Sequence, residues 1–325
     1  MMNTANDGEY HPFVSIVIPT RNEADDIAAT LDRCLALDYD RKEIIVVDDS
    51  TDNTPAIVSA YADRGVRLIH REENRNGCCG ARNLGMQQAR GEIIVLFNAD
   101  DRPCPDFLRR VLPHYAQGAD YVVVRSVVAK PDSVWGKYTW AAAQQAFRPD
   151  LEEWSEGFSC RKDMAARAGY IPGDFPVPFC RDFMFGPAMT RAGAVKHNDM
   201  TIRMEHIVPD TLAAYWRNQV WRGTFAAPYA FYFCKRSVAV IWARELLKTG
   251  RTVLRYGLII PALWRAVALS HFAPQGRHDL VVLIWVGLVQ EIALRVGNFK
   301  GLRRLMQVRQ SRLADGVSKT TWTHG

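Results

Sequence analysis

The stretch Ile44-Ile45-Val46-Val47-Asp48-Asp49-Ser50-Thr51-Asp52 decides how the chain is read. Four consecutive apolar residues, two of them β-branched valines after two isoleucines, suit a strand buried on both faces, as in a parallel sheet. The strand delivers an acidic, hydroxyl-rich turn at its C-terminal end, where open α/β sheets bind their ligands. A second apolar run, Glu92-Ile93-Ile94-Val95-Leu96-Phe97, ends in the same manner, in Asn98-Ala99-Asp100-Asp101. Two carboxylate turns at strand ends of one sheet suit a sugar nucleotide held through a divalent cation.

Working outward, residues 13–128 alternate between strands and helices. Phe13–Ile18 reads as a strand closed by Pro19, and Asn22 as the cap of a helix over about Ala24–Leu37. Glu43–Asp48 is the next strand. Asp52 or Asn53 caps a helix with Pro55 in its first turn, and Gly65 stops it. Val66–His70 is a strand, Cys79–Ala89 a helix ended by Gly91, and Glu92–Phe97 and Tyr121–Val128 are further strands. Strands separated by helices predict right-handed βαβ units and a mostly parallel sheet. Residues 131–230 lose this rhythm and are rich in Trp, Phe, Pro and Gly, as acceptor-binding halves and active-site loops often are.

Bulk composition narrows the class. With 48% hydrophobic and 23% charged residues over 325 positions, the chain can bury a sizeable core and is not a disordered protein. The net charge of +6 is concentrated in Arg295, Lys300, Arg303, Arg304, Arg309 and Arg312. That run has few aromatic residues, which argues against nucleic-acid binding. Seven cysteines include no C-x-x-C pair, so the expectation is reduced thiols in a cytosolic setting and no zinc. The polar start, Met1 to Pro12, predicts no signal peptide.

Five motifs occur in order: Ser15-Ile16-Val17-Ile18-Pro19-Thr20-Arg21-Asn22-Glu23; Val47-Asp48-Asp49-Ser50-Thr51-Asp52; Asn76-Gly77 with Gly80-Ala81-Arg82-Asn83; Ala89-Arg90-Gly91-Glu92; and Phe97-Asn98-Ala99-Asp100-Asp101. In this set, over roughly residues 13–225, the chain resembles the family 2 glycosyltransferases, inverting enzymes of the GT-A fold. The resemblance implies an α/β fold with a mostly parallel sheet flanked by helices. It divides the chain into a nucleotide-sugar-binding half (1–130), an acceptor-binding and catalytic half (131–230) and a C-terminal helical, membrane-associated region with a basic tail (231–325).

The donor site follows from the strand ends. Pro19, Thr20, Arg21, Asp48 and Asp49 can form a slot for a nucleotide base, although Asp49 and Asp52 also suit plain turns and caps. Glu23 belongs to the first motif and joins the donor-binding set with it. Gly77 and Gly80 precede a helix with Arg82 in its first turn, which can offer N–H groups and a guanidinium to a diphosphate; the alternative is a surface arginine. By resemblance, Asn98-Ala99-Asp100 is the family's D-x-D motif with Asn in first place. Asn98 then contacts the ribose and Asp100 holds Mg2+ or Mn2+, with Asp101 available to compensate for the lost charge.

An inverting transfer needs a base for the acceptor hydroxyl. The family's E-D pair corresponds to Arg181-Asp182 here, which leaves Asp182 as the candidate base, or as an N-cap for the following helix. His206 falls where many members carry a histidine near the donor phosphates, and is read as a second metal ligand or a structural residue. Gln219-Val220-Trp221-Arg222-Gly223 keeps Q-x-x-R but has Gly where processive synthases have Trp, so transfer of one sugar is expected. Trp216, Gln219, Trp221 and Arg222 form the expected acceptor side, with core packing the alternative for the tryptophans.

Beyond Phe231, three apolar stretches (Val238–Leu247, Tyr256–Phe272 and Leu280–Leu294) are interrupted by charge, and the charge-free run Leu280–Gln290 is short of a span. Interfacial or re-entrant helices are expected, with Val281, Leu283, Ile284, Trp285, Leu288 and Val289 as the apolar cluster against lipid, at the cytoplasmic face of the membrane. A soluble helical subdomain is the alternative. The whole reading is a transferase using a nucleoside diphosphate-sugar, UDP-sugar before others, and a lipid-linked or surface-glycan acceptor. Its rivals are a sugar nucleotidyltransferase, disfavoured by the absence of a Gly-rich loop at Pro19–Glu23, and a degenerate transferase that only binds.

Overall fold

A computed structural model describes residues 10–72, 76–154, 156–172 and 182–314, the last four of these for the backbone alone. Arg181, with Phe179 and Cys180 before it, lies outside the described residues. Backbone proximity divides the chain into two units: 10–127, 148–172 and 182–207 form the first, and 128–147 with 208–314 the second. The strands are β1 Val14–Thr20, β2 Lys42–Asp48, β3 Val66–His70, β4 Ile93–Leu96, β5 Asp101–Arg102, β6 Tyr121–Val128, β7 Ser159–Arg161 and β8 Lys196–His206. The helices are α1 Ile27–Leu35, α2 Thr54–Ser59, α3 Gly77–Gln88, α4 Phe107–Ala116, α5 Val134–Ala146, α6 Lys162–Arg167, α7 Phe185–Arg191, α8 Leu212–Gly223, α9 Ala226–Tyr232, α10 Val238–Gly257, α11 Ile260–Ser270 and α12 Leu280–Ala314.

The strands form one sheet in the order β3-β2-β1-β4-β7-β6-β8-β5. β1 sits between β2 and β4 and pairs parallel with both, and β2 pairs parallel with β3. Beyond β4 the sheet turns antiparallel, through β7 to β6. Burial of almost every β1 and β2 residue explains the unbroken apolar runs, because helices cover both faces. Alternation along β1 separates the two cores. Val14, Ile16 and Ile18 pack with α1 and α4 residues such as Leu31 and Phe107, while Val17 packs with Met86 of α3 and Phe185 of α7.

The Ala89-Arg90-Gly91 motif lies at the N-terminal end of the parallel strands, opposite the acidic turns. Glu43 accepts from the Ser15 hydroxyl (2.6 Å), the Arg90 backbone N–H (2.7 Å) and Arg90 Nε (2.9 Å), and Gly91 N–H donates to Ser15 Oγ (2.8 Å). A Cβ at position 91 would lie 2.5 Å from the Ser15 nitrogen and 2.7 Å from the Phe13 oxygen, so only glycine fits.

Two local expectations change. Asn22 does not cap α1, which starts at Ile27. It sits in the left-handed region (φ 59) and its Oδ1 accepts from Thr51 N–H (2.9 Å), joining the turns after β1 and β2. α3 begins at Gly77, ahead of the expected Cys79. Asp52 does serve the start of α2, accepting from the N–H (2.9 Å) and hydroxyl (2.6 Å) of Thr54.

In the second unit, Trp135 and Tyr138 of α5, Tyr215 of α8, Ala266 of α11 and Leu283 and Val286 of α12 make a core of their own. α8 and α12 cross closely where Gly223 meets Gly297, a Cβ on Gly223 lying 3.0 Å from the Gly297 Cα. The run Leu280–Gln290 is not a short piece: it opens the 35-residue helix α12, since no proline or glycine cluster stops it. By length and composition the helical stretch Gly276–Gln310 could cross a membrane, and α10 with α11 passes the same test as a pair bent by 88°.

Gly91→Ala is expected to lower the stability of the first unit by about 1–3 kcal/mol, the usual scale of overpacking, seen as an earlier thermal transition. A wild-type transition temperature would contradict the close approach described here.

Candidate functional site

The C-terminal ends of β1, β2 and β3 are tied together by one carboxylate. Asp48 is completely buried; its Oδ1 accepts from Thr20 Oγ1 (2.7 Å) and Ser50 Oγ (2.6 Å), and its Oδ2 lies 2.9 Å from His70 Nδ1. Asp48 and Thr20, read as donor contacts, thus organise the turn from within. Asp49 forms a bidentate pair with Arg71, through Nε to Oδ1 (2.6 Å) and through the terminal nitrogen to Oδ2. Arg21 is exposed and Pro19 partly buried at the mouth of the same turn.

The second turn gathers residues that are far apart in sequence. Arg82 is buried in the first turns of α3 and reaches Asn98 Oδ1 (2.5 Å) with one terminal nitrogen and Asp182 Oδ2 (3.0 Å) with the other. Its guanidinium carbon stands 5.3 Å from the centre of the Trp154 ring. Asp182 Oδ1 also accepts from the Phe183 N–H (2.9 Å) in the turn that leads into α7. The structure therefore brings together the residue assigned to the diphosphate, the variant position of the D-x-D-like motif and the candidate base.

Beside them is a crowded acidic group. Asn98 N–H donates to Asp101 Oδ2 (2.7 Å), while Asp101 Oδ1 is buried with no hydrogen-bond partner among the described residues. Burial raises the Asp100 carboxyl to about 6, against the pull of His206 and with a push from Glu156 and Asp26. Burial, Glu156 and Asp100 together push Asp101 well above the usual carboxylate range. Glu23 is pushed up to about 8 by burial and then by Asp100, Asp26, Asp52 and Asp25.

His206 ends β8, opposite Asp101 of β5, and the Ile207 N–H donates to the Asp100 carbonyl (3.2 Å). Its Nδ1 lies 3.1 Å from Ser126 Oγ, which leaves Nε2 for a ligand. No group of three or more His, Cys, Asp and Glu side chains among the described residues could hold a metal ion by itself. The donor chemistry still suits a hard cation: Asp100 is partly buried beside other carboxylates, Asp101 has an unsatisfied oxygen, and Mg2+ commonly takes one or two protein ligands and completes its shell from phosphates and water.

The expected acceptor residues stand on α8 in the second unit. Gln219 is 4% exposed, within the helix face that meets α12. Trp221 is about half exposed and packs edge-on against Phe225, Arg222 is exposed and Trp216 partly buried. Sequence reading missed His70, Arg71, Trp154 and Glu156. His70 ends a parallel strand and Arg71 directly follows it, positions that could have flagged them. Trp154 and Glu156 sit in an irregular segment that carries no periodic signal.

The raised Glu23 carboxyl has a direct consequence for the metal-free protein. A group whose folded pKa is about 8, against an ordinary 4.5, contributes stability that is fully present below pH 4.5 and lost as pH rises through 8. In EDTA, the transition temperature should fall between pH 5 and 8.5, and Glu23→Gln should flatten that fall. An identical slope in wild type and variant would show that Glu23 titrates normally.

The profile of glycosyl transferase family 2 matches residues 15–177, half of the chain. Over 114 residues the chain is 43% identical to the succinoglycan biosynthesis protein ExoO of Rhizobium meliloti (strain 1021), covering 34% of this chain and 32% of that one. It is 35% identical over 112 residues to the beta-monoglucosyldiacylglycerol synthase of Synechocystis sp. (33% of this chain, 23% of that one) and 31% identical over 135 residues to the putative colanic acid biosynthesis glycosyl transferase WcaA of Escherichia coli K12 (38% and 48%). The matched region thus spans between about a quarter and a half of these curated relatives. Among solved structures, the mannosyltransferase PcManGT of Pyrobaculum calidifontis, in complex with GDP-Man and Mn2+, superposes with a TM-score of 0.59 at 22% identity, covering 92% of this chain and 89% of that one. Residues 1–349 of S. aureus TarS, in complex with UDP-GlcNAc, give 0.51 at 16% identity (90% and 91%). These likenesses show the GT-A fold, and with the profile match they show that the chain belongs to glycosyl transferase family 2.

Proposed function

We propose that the chain transfers a single sugar, with inversion, from a nucleoside diphosphate-sugar to a lipid-linked or cell-envelope glycan acceptor. The observation that carries this is the Arg82 bridge between Asn98 and Asp182, which places a cation between the donor motif and a carboxylate. The named roles of ExoO and WcaA in polysaccharide biosynthesis support an envelope glycan, and the diacylglycerol synthase supports a lipid-borne acceptor. PcManGT with GDP-Man and TarS with UDP-GlcNAc support a nucleoside diphosphate donor without choosing its base.

In this mechanism the Asp182 carboxylate takes the proton from the acceptor hydroxyl. The acceptor oxygen forms a bond to the anomeric carbon as the bond from that carbon to the diphosphate oxygen breaks on the opposite face. The Asp182 carboxylate is oriented by hydrogen bonds from Arg82 and from the Phe183 N–H. Arg82 exchanges part of its contact with Asp182 for the diphosphate, which both binds the donor and releases the base. Asn98 accepts from Arg82 now and can bond a ribose hydroxyl, and Arg71 holds Asp49 beside the base slot. Asp100 and His206 would hold Mg2+ or Mn2+, whose charge would stabilise the leaving diphosphate. The acceptor side remains assigned to Trp216, Trp221 and Arg222. Gln219, being buried, acts through the packing of α8.

Nucleoside diphosphate binding is expected to need Mg2+ or Mn2+, measured as ligand-dependent thermal stabilisation. Asp100→Ala should abolish the metal dependence; binding that stays metal-dependent would remove Asp100 from the site.

Asp182→Asn should lower kcat at least about a hundredfold, the scale of a lost general base, and leave donor affinity nearly intact. Near-normal turnover would place the base elsewhere.

A further inference from the structure

We infer that the elbow formed by α10 and α11, rather than the apolar start of α12, is the surface that enters lipid, and that it favours an anionic monolayer. The inference rests on reading the chain as a membrane-associated transferase, and it assigns the contact to named residues.

The α12 cluster expected from sequence to face lipid is largely committed inside the second unit. Leu283 and Val286 are buried against Tyr138, Tyr215 and Ala266, and Ile284 and Val289 pack on the same core. Val281 and Trp285 of that region remain exposed. The apolar surface lies elsewhere. On α10, Ile241, Glu245 and Thr252 form the buried stripe, and Leu247, Leu254 and, just past its end, Leu258 are exposed. At the bend, Ile259 (65% exposed) and Ile260 follow, and Trp264 of α11 is 74% exposed. Ile259 adopts φ 58, an unusual conformation for a β-branched residue, and α11 leaves at 88° to α10. A chain bent so sharply presents its corner first, which suits shallow insertion and not a straight crossing.

Charge selects the occupant. Between Ser237 and Phe272 the only acid is Glu245. It is buried and engaged by Lys248 (2.7 Å), Arg295 (2.7 Å) and Asn298 (2.7 Å). The same segment exposes Arg244 and Arg251. Arg255 and Arg265 are held by Glu291. An apolar corner with flanking arginines and no exposed carboxylate matches acyl chains under anionic headgroups, with Trp264 at the interfacial depth that tryptophan prefers.

The test uses full-length protein, detergent removed, in flotation with phosphatidylcholine vesicles with and without about a third phosphatidylglycerol, the fraction that gives a strongly anionic surface. Wild type should float with the anionic vesicles and more weakly with the neutral ones. The Leu254→Glu/Leu258→Glu double variant should lose at least about tenfold in partitioning, given what two buried leucines contribute. A Val281→Glu/Ile292→Glu variant of α12 should lose much less. Brominated lipid should quench wild-type emission, and Trp264→Phe, which leaves the packing untouched, should remove that quenching. The inference is overturned if wild type fails to float, if the elbow variant floats like wild type, if the α12 variant loses more, or if Trp264→Phe leaves quenching intact. An elbow variant that changes oligomeric mass and not flotation would reassign the surface to a second copy of the chain. Donor binding, measured in detergent on the same proteins, reports separately on the catalytic reading: vesicle binding without donor binding would sink that reading and leave this one standing.

Discussion

The buried carboxylate of Asp48 is the constraint on which the C-terminal end of the parallel sheet depends. It accepts from Thr20, Ser50 and His70, so the ends of three parallel strands share one acceptor. Leaving a charge so deep in a protein is tolerated only where hydrogen bonds satisfy it. The same bonds fix the turn that sets out Asp49 and Arg21, and Asn22 latches the turn from the β1 side. Of the four motif residues that look like ligand contacts, Thr20 and Asp48 build the turn, Asp49 is buried against Arg71, and Arg21 alone is exposed.

Next to this rigid frame is a region of opposite character. Asp100, Asp101 and Glu23 crowd together, and burial, with Glu156 adding to the push on the two aspartates, drives their carboxyls upward. Such a group is held in tension until positive charge arrives. Arg82 and His206 supply part of it, and a cation carried in with a diphosphate would supply more. Replacement of the first motif acid by Asn98 makes sense in this setting. Asn98 removes one charge from an overcrowded group and accepts from Arg82, whose other nitrogen goes to Asp182.

The second unit solves a different problem. Its helices carry buried charge on purpose-matched partners, Glu245 with Arg295 and Lys248, Glu291 with Arg255 and Arg265. Glycines at the α8–α12 crossing let the backbones approach closely. With its charges paired inward, the unit can present leucine, isoleucine and tryptophan outward at the bend between α10 and α11.

Sequence alone determined the parallel half of the sheet, because Ile44–Val47 and Ile93–Phe97 are continuous apolar runs ending in turn residues, a signal that is local. It also determined the family, through five ordered motifs at strand ends. It could not separate Asp48, which ties the three strand ends together, from Asp49, which is buried against Arg71, since neighbouring identical residues differ only in which face the backbone gives them. It missed Trp154 and Glu156, which lie in an aperiodic segment and reach the site through folding. The antiparallel return of β7 between β4 and β6 was likewise invisible, because a three-residue strand has too little pattern to register. Apolar composition raised the expectation of lipid contact but could not say which apolar residues would stay exposed. Tertiary structure decided that exposure by turning most of the α12 cluster inward and the α10–α11 corner outward: a helix has one face for its neighbours, and only packing chooses which.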